Sequence, residues 1–299
     1  MTAGFKVRIG VAAGVGVADD AAAFLDLVDA VDDLGYDSIW VPDVVTTSTL
    51  DPIAALSVAA GRRHRLKLGT HLILPGRNPV LLAKQLATLD QLSGGRVLIN
   101  AVLGLRQPAE LAAQGVDAGE RTRMLEESMH IMRTLWRGEP LTFAGTHHRY
   151  EDVQLAVRPK QQPLEMWLGG QVPAALRRCG RIGEGWMPGL CTPAEAAAGK
   201  AVIDAAAEEA GRTIDREHFG VNLTWVERSI SPAVRASVAA RRDDLDADDV
   251  IAIGVAGLAE QIEAFLAVGF SKFVIRPAEP PSSWPSAIEG VADVLELQT

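Results

Sequence analysis

Few side chains in this sequence combine reactive chemistry with a place at the end of an apolar run. Asp43 ends the strand run Tyr36–Val41, beside Pro42; Thr70, His71 and Leu72 lie within Leu66–Leu74; Leu105 and Arg106 end the stretch Asn100–Arg106. Gly169, Gly170 and Gln171 follow Leu164–Leu168, and Arg276 follows Lys272–Ile275. A carboxylate, an imidazole and two guanidinium groups at such positions supply a polar contact, a proton carrier and charge that neutralises an anion. Two glycines before a helix bring backbone N–H groups to the positive helix end, which suits a phosphate. Each feature also has a purely structural reading: a loop or cap aspartate, a satisfied core histidine, an exposed strand-end arginine, a tight strand-to-helix turn. Trp40, Trp186 and Trp225 divide the same way, between walls for an aromatic ligand and core packing.

Spacing and composition exclude much else. The six histidines, His64, His71, His130, His147, His148 and His218, show neither H-x-H nor H-E-x-x-H spacing. There is no G-x-S-x-G elbow, no Walker loop, and no lysine closing an apolar strand toward a pocket, which disfavours serine, phosphate-loop and Schiff-base chemistry. Cys179 and Cys191 make no disulfide framework and no metal site. A net charge of −9 argues against nucleic acid or an anionic membrane as partner. No run approaches the ~20 apolar residues of a membrane span, and Met1–Gly10 lacks the apolar core of a signal peptide. The expectation is a cytoplasmic protein acting on a small-molecule substrate. A phosphate cradle and aromatic walls without a protein nucleophile point to a reaction carried by a cofactor.

The elements that must position these residues alternate between strand and helix. The clearest unit is Leu66–Asn100: a buried strand, Pro75-Gly76, a helix capped by Asn78 with Pro79 at its first position, and Gly94-Gly95 before the next strand. Leu82, Leu86 and Leu89 share one face of that helix. Upstream, Phe5–Ala12 reads as a strand, and a helix with Phe24, Leu25, Val28, Val31 and Leu34 inside stops at Gly35 before Tyr36–Val41. Further strands are expected at Leu164–Leu168, Gly185–Pro188, Phe219–Val226 and Lys272–Ile275. Helices are expected at Asp51–Ala60, Gly119–Trp136, Pro173–Arg181, Ser231–Asp249, Ala256–Val268 and Trp284–Leu297. Gly138–Pro163 lacks periodicity and forms a long excursion. Val28–Val41 aligns without gaps to Ile262–Ile275, repeating a helix–Gly–aromatic–strand unit near both ends. About eight alternations without a composition break favour an α/β fold of the (β/α)8 barrel type, a single domain over residues 1–299. The excursion is a long insertion between the strand-four helix and strand five.

Asp37–Asp43 (D-S-I-W-V-P-D), Leu68–Arg96, Met166–Gly170 (M-W-L-G-G) and Gly183–Trp186 (G-E-G-W) resemble the bacterial luciferase-like monooxygenase superfamily. The resemblance runs from about Lys6 to Arg276, is carried most specifically by Asn78–Arg96, and leans toward the coenzyme F420-dependent oxidoreductases. It implies a deazaflavin ring at the strand ends, held by Asp43, Thr70, His71, Leu72, Leu105, Arg106 and Trp186, with Gly169, Gly170 and Gln171 at its phosphate. It also implies a non-prolyl cis bond and bulge at His71-Leu72, and a homodimer. Two departures stand out. Val44 replaces the histidine many relatives carry after Asp43, and Leu105 replaces the glutamate of the sugar-phosphate dehydrogenases. No catalytic acid or base is therefore assigned, and alcohol oxidation by proton abstraction is disfavoured. Gly254-Val255-Ala256-Gly257 likewise replaces the usual small-Thr-Pro helix start. The reading is hydride transfer between F420 and a small organic substrate. Its alternatives are an FMN-dependent monooxygenase using O2 and a non-catalytic flavin- or deazaflavin-binding protein.

Overall fold

The computed structural model describes residues 6–14, 17, 19–281 and 283–296. Phe5 and Leu297, each at the end of an element expected above, lie outside the described residues. Two compact units emerge: Met1–Trp40 with Trp167–Thr299, and Val41–Met166.

The first unit opens with strand β1 (Arg8–Ala12), helix α1 (Ala21–Asp33) and strand β2 (Ser38–Pro42). Asp20 caps α1 by accepting from the Ala23 N–H at 2.9 Å. The buried stripe is Phe24, Leu27, Val28 and Val31, so Leu27 takes the place expected of Leu25. β1 and β2 pair in parallel, Gly10 opposite Ser38 and Ala12 opposite Trp40. Gly10 is required there, because a Cβ would come within 2.2 Å of Ser38 Oγ.

The second unit comprises helix α2 (Pro52–Arg62), strand β3 (Lys67–Ile73), helix α3 (Pro79–Ser93), strand β4 (Val97–Val102), and helices α4 (Pro108–Gln114) and α5 (Arg121–Trp136). The β3–α3–β4 unit forms as its residues dictate. Asn78 Oδ1 accepts from the N–H groups of Val80 and Leu81 at 3.0 and 3.1 Å, and Gly94 closes the helix at φ 75°. The expected bulge at His71-Leu72 is absent. β3 pairs with β4 in unbroken register from Leu68–Val97 to Ile73–Val102, and the one cis peptide among the described residues is Gln162–Pro163. A bulge would leave a ladder group unpaired, and here every successive residue has its partner. The excursion Gly138–Pro163 also gains structure: strands β5 (Leu141–Ala144) and β6 (Arg149–Val153) form an antiparallel hairpin. Its turn is anchored by Glu127, whose carboxylate accepts from the N–H groups of Thr146, His147 and His148 at 2.7, 3.0 and 3.1 Å.

The first unit resumes with strand β7 (Met166–Leu168), helices α6 (Pro173–Ile182) and α7 (Pro193–Glu209), and strand β8 (Gly220–Val226). Helices α8 (Pro232–Ala239) and α9 (Ala247–Val250), strand β9 (Ile251–Ile253), helix α10 (Gly254–Ala267), strand β10 (Lys272–Pro277) and helix α11 (Trp284–Val294) complete it. β1, β10, β8 and β9 are successive parallel neighbours. Trp186 bridges singly to Leu168 and to Phe219, so Gly185–Pro188 is a bridge and not a full strand. The continuous helix expected over Ser231–Asp249 is instead broken. Arg242 turns its guanidinium onto Asp244, and Asp246 starts a fresh cap by accepting from the Asp248 N–H, which leaves room for β9. The internal echo holds in three dimensions. Gly35 and Gly269 adopt φ 80° and 91°, and Tyr36 and Phe270 behind them are fully buried.

Candidate active site

At the strand ends of the second unit, polar groups close upon one another. Asp43 is buried, and its carboxylate accepts from Arg77 Nη2 at 2.8 and 2.9 Å and from the Ile73 N–H at 3.0 Å. Burial pushes its carboxyl above the ordinary value, against the pull of Arg77 and the Ile73 N–H. Asp43 thus ties the end of β2 to the end of β3 and to the loop leading into α3. Thr70 and Leu72 are fully buried on one face of β3. Among the described residues the Thr70 hydroxyl has no hydrogen-bond partner. His71 projects from the opposite, less buried face, where Asn100 Nδ2 lies 2.9 Å from its Nδ1. With the amide donating, the ring proton sits on Nε2.

Leu105 and Arg106 are exposed on the loop after β4. That loop is fixed from beneath: the carbonyls of Leu103, Gly104 and Leu105 accept from Arg121 Nη1 at 3.2, 2.9 and 3.0 Å. Burial, and then the like charge of Arg106, pull Arg121 below its ordinary pKa. The loop after β2 is held similarly, the Glu110 carboxylate accepting from the N–H groups of Val45 and Thr46 at 3.3 and 2.6 Å.

The strand ends of the first unit differ. Gly170 takes φ +90°, and a Cβ there would stand 2.9 Å from that of Ala175. Val172 caps α6 without a side-chain hydrogen bond, and Pro173 occupies the first helical position. Among the described residues the N–H groups of Gly170, Gln171 and Val172 meet no acceptor. Three successive N–H groups without an acceptor thus lie around a left-handed glycine just before the N-terminus of α6, the positive end of a helix. Trp186 serves this turn without walling anything. It is buried against Phe270 and Gly199, and its indole N–H donates to the Gly170 carbonyl at 2.9 Å. The Gln171 side chain is also committed elsewhere, donating to the Gly189 carbonyl at 2.6 Å and accepting from Arg242 Nη1 at 2.9 Å. Arg242 further binds the Leu190 carbonyl at 3.0 Å, Glu195 at 2.5 Å and Asp244 at 2.8 Å.

Arg276 stands opposite Thr224 in the β8–β10 ladder. Trp40 and Trp225 are buried, and Trp225 borders a cleft of about 350 Å³ with Arg228, Pro277 and Glu279. Burial pushes both cysteine thiols up to about 12, which removes a thiolate from the reaction. Arg77, Arg121 and Arg242 organise these loops and are not identifiable as site residues in the sequence. The one signal was the charge run Arg241–Asp244, dense enough to break a helix. Among the described residues no helix is long and apolar enough to cross a membrane.

Comparison with known proteins adds three findings. Residues 1–276 match the model of the family described as luciferase-like monooxygenase. The chain is 30% identical over 217 residues to 4-hydroxyprotoasukamycin monooxygenase of Streptomyces nodosus subsp. asukaensis, covering 67% of this chain and 57% of that protein. It is 29% identical over 202 residues to the F420-dependent glucose-6-phosphate dehydrogenase of Microbacterium testaceum (strain StLB037), covering 64% and 60%. The chain thus spans little more than half the length of these curated relatives. Among solved structures, an F420-dependent secondary alcohol dehydrogenase in complex with an F420-acetone adduct superposes with a TM-score of 0.83 at 19% identity, covering 98% of this chain and 100% of that one. The coenzyme F420-dependent tetrahydromethanopterin reductase from Methanopyrus kandleri gives 0.77, also at 19% identity, covering 98% and 100%. These likenesses show the fold class, luciferase-like α/β of the (β/α)8 type.

Proposed function

The chain belongs to the luciferase-like monooxygenase family, and from that premise we propose that it is an oxidoreductase moving a hydride between deazaflavin coenzyme F420 and a small organic substrate. The observation carrying this reading is the set of unpaired N–H groups at Gly170, Gln171 and Val172. They fit a phosphate group, a diester in F420 and a monoester in FMN, and a Cβ at position 170 would crowd the turn that carries them. When bound, the coenzyme supplies a ring carbon that accepts or donates hydride. The chain supplies the rest. Trp186 fixes the Gly170 carbonyl and so braces the turn that carries the three donors. In the other unit, Asn100 fixes the His71 ring on the less buried face of β3. Val44 and Leu105 offer no proton carrier, which favours hydride transfer with the proton exchanged through solvent or substrate. The F420-dependent dehydrogenases among the relatives support the choice of coenzyme.

A second reading, an FMN-dependent monooxygenase using O2, is favoured by the monooxygenase at 30% identity. Spectral titration decides between them. Micromolar binding of F420 without binding of FMN supports hydride transfer. FMN binding with O2 uptake on reduction establishes the second reading, and binding of neither removes both.

A further inference from the structure

Arg276 and Arg241 line one small cavity of about 50 Å³, with Thr224, Ser237, Leu190, Val234 and Ile251 around them. Two cations share this space without an acidic residue on its wall. The Arg276 side chain makes no hydrogen bond or ion pair among the described residues, although it is half-buried and its stem packs beside Gly14. The other arginines of this region are paired: Arg235 with Asp246 and Asp248, Arg242 with Glu195 and Asp244. A half-buried guanidinium without a partner is partly desolvated at a cost, and a second positive charge beside it adds repulsion. Burial and then Arg241 accordingly pull Arg276 below its ordinary pKa. Both costs vanish when an anion enters.

The cavity is also built, not incidental. Leu190 on its wall sits at φ 52°, a left-handed conformation that costs a branched side chain about 1–2 kcal/mol. It is held there because its carbonyl accepts from Arg242, which also binds Gln171 beside the Gly170 turn. Arg241 is the neighbour of Arg242, so one anchored segment presents Arg241 to the cavity. Thr224 adds a hydroxyl from β8, opposite Arg276.

We propose that Arg276 and Arg241 form an oxyanion subsite, sized for a carboxylate head group, which makes an acidic small molecule the substrate class of the site proposed above. Two guanidinium groups and a threonine hydroxyl match a carboxylate's two acceptor oxygens. A volume near 50 Å³ admits the head group alone, so the rest of the ligand lies outside. The same carboxylate chemistry is available from the coenzyme's acidic tail, and the experiment separates the two sources.

Acetate and inorganic phosphate are titrated into the whole protein by calorimetry, with and without saturating F420, for wild type, Arg276→Gln, Arg276→Lys and Arg241→Gln. Circular dichroism and thermal melts verify folding, and the exposed Arg241 provides a variant whose fold is not at risk. We expect acetate affinity to fall about tenfold or more in Arg276→Gln and severalfold in Arg241→Gln, with partial recovery in Arg276→Lys. Loss of acetate binding with unchanged F420 affinity assigns the subsite to the substrate. Weakened F420 binding, with unchanged binding of the deazaflavin lacking its tail, assigns it to the coenzyme. If wild type binds neither anion, or the arginine variants bind anions and F420 as wild type does, the subsite is refuted. Failure of F420 to bind wild type while acetate binding still depends on Arg276 overturns the coenzyme reading and leaves the subsite standing.

Discussion

Strand ends in the two units carry similar polar residues and use them in opposite ways. In Val41–Met166 the charged groups at the strand-end loops are consumed within the unit: Asp43 takes Arg77 and the Ile73 N–H, Glu110 takes the N–H groups of Val45 and Thr46, and Arg121 takes three loop carbonyls. In the other unit, three backbone N–H groups at Gly170–Val172 and the guanidinium of Arg276 are left over. Closed networks hold loops still. Surplus donors at a helix N-terminus, with no acceptor to balance them, specify the charge of what binds. On the reading proposed above, the difference separates a scaffold from the surface that takes the anionic groups.

The comparison breaks first at Asp43. Asp43→Asn keeps the shape but strips the charge from a pair in which one Arg77 nitrogen bridges both oxygens of a buried carboxylate. Arg77 keeps contact with water, so the loss should be about 1–3 kcal/mol, and urea unfolding should show it. Coenzyme affinity per folded molecule should hold. A variant that unfolds normally yet loses coenzyme would make Asp43 a ligand, and the closed-network description would fail. Gly170→Ala is the converse test. A Cβ at φ +90° and 2.9 Å from Ala175 must displace the turn. The expected result is F420 binding weakened about ten- to a hundredfold with a melting temperature only slightly lowered, since each tenfold is ~1.4 kcal/mol.

These two residues also mark how far the sequence was legible. The β3–α3–β4 unit was legible because its signals are local: an asparagine cap, a proline at the first helical position, a left-handed glycine after the last turn, each within a few residues of what it controls. Gly169-Gly170 was legible as a possible cradle for the same reason. The pairings that decide which polar groups remain available were not. Asp43 meets Arg77 across 34 positions, and Gln171 meets Arg242 across 71. Only the folded chain brings them together, and no pattern in the sequence marks them. The bulge at His71-Leu72 was inherited from the family resemblance, and no residue of Leu66–Leu74 demanded it. The break between α8 and α9 was hidden because Ser231–Asp249 is polar throughout, so a capping aspartate inside it looks like one more surface charge.

A smaller effect belongs to Glu127, which anchors the β5–β6 turn. Burial raises its pKa, but the three N–H groups it accepts outweigh that and hold it below the ordinary value. A lowered folded value means the stabilisation is present above the unfolded value near 4.5 and is lost as pH falls through the folded one. Glu127→Gln should cost about 1–2 kcal/mol at pH 7, and its deficit should shrink toward nothing in melts taken near pH 3. A deficit independent of pH would mean the anchor works by shape and not by charge.

The smallest expected change is the most discriminating. Gln171 lies inside the cradle, but its side chain faces away, to the Gly189 carbonyl and Arg242, and only its backbone N–H is offered. Gln171→Ala therefore keeps all three donors and removes a brace. The turn has a second brace in the Trp186 indole, which still holds the Gly170 carbonyl. Coenzyme affinity should fall only twofold to fivefold, under 1 kcal/mol, well short of the loss at Gly170. Arg242→Ala, which frees Gln171, Leu190 and Glu195 together, should exceed it. If Gln171→Ala matched the glycine variant, the side chain itself would be the ligand. Surplus backbone donors would then no longer be what distinguishes this unit from its closed counterpart.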